Sequence, residues 1–196
     1  MVEIRDARQD EFDELGDIRV GAYLADGFLS PHSTYAPRLR ALGADGLDHV
    51  LVAVQPDAGQ PDAGQPGTRP TDPGTTGGCG PAAANGGRHG RIVGTVMLQG
   101  WPQGGEILAG PEEAEIRALA VSPEARGSGV GRALLAAVIE RAARDGIRHL
   151  VLLTQAEMKA AHHLYEEAGF SRLPERDWSP EPGLTLLAYG LTLRPS

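Results

Sequence analysis

Between residues 126 and 132 the chain reads Arg-Gly-Ser-Gly-Val-Gly-Arg, and Gly127, Gly129 and Gly131 stand where a helical pattern begins. A helix start is an anion site, because its first amides have no internal partner and glycines let phosphate oxygens approach the backbone. Two phosphate motifs compete for such a turn. The P-loop ends in Gly-Lys, and no Gly-Lys pair occurs in this chain. The dinucleotide fingerprint Gly-x-Gly-x-x-Gly needs glycine where Arg132 stands, and an acidic residue ending the next strand, which here closes Leu152-Leu153-Thr154. A turn that merely joins strand to helix is the remaining reading of these residues taken alone.

The flanking elements are legible. Ile116, Leu119 and Val121 alternate with Ala118 and Ala120 as a strand able to be buried on both faces, stopped by Ser122-Pro123. Val130, Leu134, Val138 and Ala142 then recur at every fourth position, with Leu135 and Ile139 widening the stripe. Gly146 ends the helix, and Arg141 and Arg144 suit the negative end of its dipole. A short strand, His149–Thr154, and a helix over Met158–Ala168 come next.

Arg126-x-x-Gly129-x-Gly131, separated by four residues from a strand ending Leu119-Ala120-Val121, resembles the acyl-CoA signature of the GNAT superfamily of N-acyltransferases, Gln/Arg-x-x-Gly-x-Gly/Ala. Ala161, Leu164-Tyr165 and Gly169-Phe170 match a second family pattern, Asn-x-x-Ala-x-x-Leu-Tyr-x-x-x-Gly-Phe, with Met158 in place of its asparagine. The resemblance covers residues 1–55 and 91–194. It implies a mixed, mostly antiparallel sheet flanked by helices (an α/β, or α+β, fold) with the acyl-CoA cradle between the fourth strand and the third helix. It also implies acetyl-CoA as cosubstrate and a small-molecule or peptide amine as acceptor. The cofactor residues it implies are Arg126, Gly127, Ser128, Gly129, Val130, Gly131 and Arg132 for the pyrophosphate, and the backbone of Leu119, Ala120 and Val121 for the pantetheine arm. By the same resemblance Glu115 is the candidate base, with Arg117 on its face and able to pair with it, and Tyr165 is the candidate acid. His162 and His163 are alternative proton-handling groups on that helix. Tyr23, Phe28, His32 and Tyr35, between the first two strands, and Trp178, in a late loop, are candidate acceptor-lining residues.

The remaining chain fills out that plan. Val2–Arg5 alternates as a first strand, and residues 10–25 read as a helix buried through Phe12, Leu15, Ile18, Val20 and Leu24. Ser33 would cap a second helix, Thr34–Leu42, ended by Gly43. His49–Val54 and Arg91–Leu98 are the second and third strands. Between them the 35 residues from Pro56 to Gly90 hold ten glycines, six prolines and no leucine, isoleucine, valine or aromatic residue. That composition predicts a mobile insertion outside the core, within one domain spanning 1–196. Pro174–Gly183 reads as a loop, and Leu184–Tyr189 as the last strand. No apolar run reaches the ~18–20 residues of a membrane span, and no signal-peptide core is present at the start, so a cytoplasmic protein is expected. The single Cys79 excludes an internal disulfide, and no metal cluster is expected. A net charge of −8 argues against nucleic-acid binding. A monomer or homodimer is expected.

Overall fold

The computed structural model describes residues 2–30, 32–46, 48–56, 90–103, 107–181 and 184–194. The predicted insertion lies, but for its end residues Pro56 and Gly90, outside the described residues. Its flanks, strands β2 (His49–Gln55) and β3 (Arg91–Gly100), are antiparallel neighbours with Gln55 opposite Arg91. These two strands are buried along nearly their whole length, as their unbroken apolar runs require of strands covered on both faces.

One sheet organises the molecule. β1 (Glu3–Asp6), β2, β3 and β4 (Glu113–Val121) pair antiparallel in that order, and β4 then pairs parallel with β5 (His149–Gln155). β8 (Leu184–Thr192) pairs antiparallel with β5, and its other edge carries β6 (Ser171–Arg172) and β7 (Trp178–Glu181). Mostly antiparallel pairing with one parallel join is the architecture expected from the sequence.

The helices cover both faces. α3 (Val130–Arg144) lays Val130, Leu134, Leu135, Val138 and Ala142 against Leu51, Val96, Ile116 and Leu152. α1 (Phe12–Ala25) covers the opposite face, where Leu15 meets Val50, Val52 and Met97. α2 (Ala36–Ala41) crosses α1 closely: a Cβ added at Gly16 would stand 3.1 Å from the Arg40 carbonyl oxygen. α4 (Lys159–Glu167) follows β5. Among the described residues no helix is long and apolar enough to cross a membrane.

Several local expectations change. In α1 Leu15 and Val20 are buried, but Phe12 and Ile18 are only half-buried, Leu24 is exposed, and Arg19 is fully buried in its stead. α2 begins at Ala36, not Thr34, because Ser33 Oγ accepts from the Tyr35 amide in its own turn and Pro37 occupies the helix's first turn. Trp178 does not sit in a loop. It starts β7, opposite Leu186, where β8 would otherwise leave an open edge. β3 runs on to Gly100 and β8 to Thr192, each held by a neighbouring strand.

Candidate active site

The site is made by a break in the sheet. Parallel pairing of β4 with β5 runs from Glu113 opposite His149 to Ile116 opposite Leu152, and stops. β5 continues along β8 to Gln155, and β4 continues along β3 to Val121. The two strands therefore diverge, and the β5-side backbone of Arg117–Val121 has no strand partner among the described residues. An extra residue in β4 drives the divergence: Thr95 faces Ala120 while Met97 faces Arg117, and Ala118 takes a φ of 50°. Such a bulge bends the strand that carries it.

The glycine turn sits at the far end of this opening. Gly127 and Gly129 have φ of 73° and 83°, a left-handed conformation that costs other residues about 1–2 kcal/mol. Gly129 is the N-cap of α3, and no side chain caps the helix, so its first amides are left for an external acceptor. A Cβ at either glycine would meet nothing within 4 Å, so the cradle is open. Gly94 lets the helix approach the sheet: a Cβ there would lie 3.0 Å from Leu134 Cδ1 and 3.1 Å from Val130 Cγ1. Ser128 Oγ donates to the Ala125 carbonyl at 2.6 Å, which tightens the turn. Each of the two arginines of the segment has a carboxylate partner. Arg126 donates to Asp26 at 2.6 Å and to the Ala22 carbonyl, binding the end of α1, and Arg132 pairs with Glu167 on α4.

Glu115 lies on the α1-facing side of β4, just before the strands part, and is only 6% exposed. Burial disfavours its charged form, and Asp48 adds repulsion. Arg117, with Nε at 3.6 Å, opposes both but does not cancel them, and the carboxyl titrates near 7 instead of 4.5.

Tyr165 is buried among Phe170 and Tyr189, with ring centroids 6.0 and 6.2 Å away. Burial pushes its phenol well above the ordinary value, and the Tyr23 phenol lies close enough to raise it further. Burial likewise lifts Tyr23 to about 12. Tyr23 packs with Ala118 on the α1 face, whereas Tyr165 belongs to the core on the α3 face, so the two phenols approach each other where the sheet is open.

Other named residues divide. The Phe28 carbonyl accepts from Gln155 Nε2, which brings the α1–α2 connection to the end of β5. Trp178 pairs with Leu186, itself opposite Gln155, so it stands at the same end of the sheet. Tyr35 lies within electrostatic reach of Tyr23, and His32 is exposed beside Ser30. His162 is buried with Nε2 2.9 Å from the Gln155 carbonyl, which uses that nitrogen structurally, and His163 pairs with Glu167 at 3.2 Å on the surface. Sequence reasoning missed Asp48, Gln99 and Arg19. Asp48 and Gln99 were visible only as polar residues bounding apolar strands, and Arg19 as a charge inside a helical stripe.

The sequence profile described as the "Acetyltransferase (GNAT) family" matches residues 61–170, more than half the chain. A mycothiol acetyltransferase of Kocuria rhizophila is 39% identical over 82 residues, covering 42% of this chain and 26% of its own length. An N-acetylaspartate synthetase of Danio rerio is 35% identical over 97 residues, covering 50% of this chain and 32% of its own. The chain thus spans a quarter to a third of the length of these relatives. Among solved structures, a GNAT-family acetyltransferase of Staphylococcus aureus superposes with a TM-score of 0.64 at 15% identity, covering 99% of this chain and 100% of that one. A Salmonella typhimurium acetyltransferase solved with its cofactor acetyl-CoA gives 0.61 at 20% identity, covering 99% and 95%. Identities this low speak for the fold alone. The profile match, laid over a glycine turn that opens α3 and a sheet split beside it, places this chain in the GNAT acetyltransferase family.

Proposed function

We propose that this domain is an acetyl-CoA-dependent N-acetyltransferase whose acceptor is the amino group of a small molecule or a peptide. One observation carries the reading. A gap in the sheet opens beside a buried carboxylate at one end and runs toward an uncapped helix start at the other.

Acetyl-CoA supplies the acetyl group as a thioester. The amides from Gly127 to Arg132 suit its pyrophosphate, since they crown α3 without a competing cap. The free edge of Leu119, Ala120 and Val121 suits the amides of its pantetheine arm as an added strand. An amide of that edge would polarise the thioester carbonyl. The acceptor must be a neutral amine, and an ordinary lysine-like amine is neutral in only about one molecule in a few thousand at pH 7. Glu115, titrating near 7, is matched to take that proton. Tyr165 keeps its proton at every working pH, and its hydroxyl is suited to donate a hydrogen bond to the departing sulfur. A phenol weaker in acidity than a thiol of reference pKa about 8.5 transfers that proton reluctantly, so its contribution belongs at the low end for general acids.

Tyr23, Phe28, His32, Tyr35 and Trp178 are assigned to the acceptor side. A small-molecule acceptor is supported by the names of the relatives, a mycothiol acetyltransferase and an N-acetylaspartate synthetase. We further assign the chain to the cytoplasm as a single domain, monomeric or homodimeric, acting on neither membrane nor nucleic acid; its net charge of −8 repels polyanions. The test is thiol release from acetyl-CoA by the full chain, offered amino acids, polyamines and short peptides in turn. Release with one amine, accompanied by its acetylated product, supports the proposal. Tight binding of acetyl-CoA with no turnover on any amine would make the chain a binding module instead.

A further inference from the structure

A row of polar side chains on the α1-facing side of the sheet ends at Glu115. Gln99 stands directly opposite Glu115 in the β3–β4 register, and Arg117 lies two residues along the same strand. Arg117 Nη1 donates to Gln99 Oε1 at 2.9 Å, and Gln99 Nε2 donates to Asp48 Oδ2 at 2.9 Å. Arg117 Nε, by contrast, stops 3.6 Å from Glu115, too far for a hydrogen bond.

Three other arginine–carboxylate pairs in this protein behave differently. Arg5 grips Glu11 with both terminal nitrogens at 2.6 and 2.9 Å. Arg172 grips Asp177 at 2.8 and 2.9 Å, and Arg176 grips Glu113 at 2.7 and 2.9 Å. Each of those carboxyls is held below its ordinary value by that hydrogen bonding. Glu115 has a guanidinium beside it and escapes the grip.

The reason lies in the amide. An ionised carboxylate only accepts, so Asp48 takes the amino end of the Gln99 side chain and leaves its carbonyl end facing Arg117. Arg117 only donates, so the carbonyl holds it. We propose that Asp48 and Gln99 are positioning residues for Glu115: they anchor Arg117 on the Gln99 carbonyl, prevent a two-pronged pair with Glu115, and keep that carboxylate basic. The inference rests on the base role assigned above.

Arg117 and Asp48 are the two charged groups that act on the Glu115 carboxyl. Asp45, Arg117 and His49 act on Asp48, while Tyr35 at the start of α2, Arg117 and Arg19 act on Tyr23. Val151, opposite Glu115 on β5, is apolar. Asp48 is itself held above its ordinary value, mainly by burial.

The test is a carbon-13 titration of the full chain labelled at glutamate carboxyls, with the Glu115 signal identified by its loss in Glu115→Gln. Gln99→Met releases Arg117 onto Glu115 and is expected to lower its midpoint by about one unit or more. Asp48→Asn keeps the shape, removes a repelling charge and loosens the amide, so it also lowers the midpoint, and by more than it does in an Arg117→Met background; that difference carries the test should Gln99→Met not fold. Arg117→Met is expected to raise it. The acidic limb of kcat/KM, measured with acetyl-CoA and an amine accepted by the unmodified chain, should follow each displacement, which loss of packing alone would not produce. A midpoint unmoved in both Gln99→Met and Asp48→Asn overturns the inference, as does a moved midpoint with a stationary limb. Absence of thiol release by the unmodified chain with every amine overturns the proposed function instead.

Discussion

Replacing Glu115 by glutamine should stabilise the protein above neutral pH and scarcely alter it below pH 5. In the unfolded chain this carboxyl titrates near 4.5, and in the fold burial carries it to about 7. Between those values the native state holds a proton that the unfolded state has released, so native stability falls as pH rises through the window. Each unit of separation is worth about 1.4 kcal/mol, so the full penalty is about 3 kcal/mol, reached a little above pH 7. Glutamine has the same shape and does not ionise, so the variant escapes this loss. Arg117 keeps its bond to Gln99 and a partly exposed side chain, so its own cost in the variant is small. For a domain of this size each kcal/mol moves the midpoint by roughly 2–4 °C. Thermal unfolding of both proteins at pH 5 and pH 8 should therefore show the variant melting roughly 5–10 °C higher at pH 8 and within about 3 °C at pH 5. Groups such as Glu11, Glu113 and Asp177, which lean the other way, are common to both proteins and cancel in the difference. Melting curves that run parallel across the whole pH range would show that Glu115 is not buried as a strained anion, and the case for its basicity would go with it.

Gly129→Asp places a charge at the cap of α3 and is expected to weaken CoA binding at least tenfold, about 1.4 kcal/mol, in calorimetry. Its added Cβ has open space, and Gly129→Ala serves as the control for the cost of the 83° φ; equal affinity for the aspartate variant and wild type would remove the cradle assignment. Tyr165→Phe should keep the ring packed on Phe170 and Tyr189, leave the KM for acetyl-CoA nearly unchanged, and lower kcat roughly ten- to a hundredfold. Full kcat with a rate-limiting chemical step would make Tyr165 a core residue and no more.

The sequence by itself determined the periodic elements and the turn that joins them. Val130, Leu134, Val138 and Ala142 had to lie on one buried stripe, because a helix repeats every 3.6 residues and offers no other way to bury them. Gly127 and Gly129 announced a glycine turn at a helix start, which is a local property of the backbone, and the same segment carried the family likeness. Periodicity failed in α1, where it put Leu24 inside and said nothing of Arg19, because α2 crosses at Gly16 and redraws which face is covered. It also failed at Trp178, whose strand exists only because β8 offers an unpaired edge.

What tertiary structure alone decided is the site's chemistry. The alternation of β4 shows which side chains share a face. The bulge at Ala118 and the parting of β5 after Leu152 depend on three strands competing for the same backbone groups, and no local pattern records that competition. Glu115 and Arg117 read in sequence as a pair two residues apart. Whether they close depends on Gln99 across the strand and on Asp48, 67 positions earlier than Glu115. A carboxylate's basicity is set by its burial and by the charges around it, and those are assembled only when distant segments fold onto one face of the sheet.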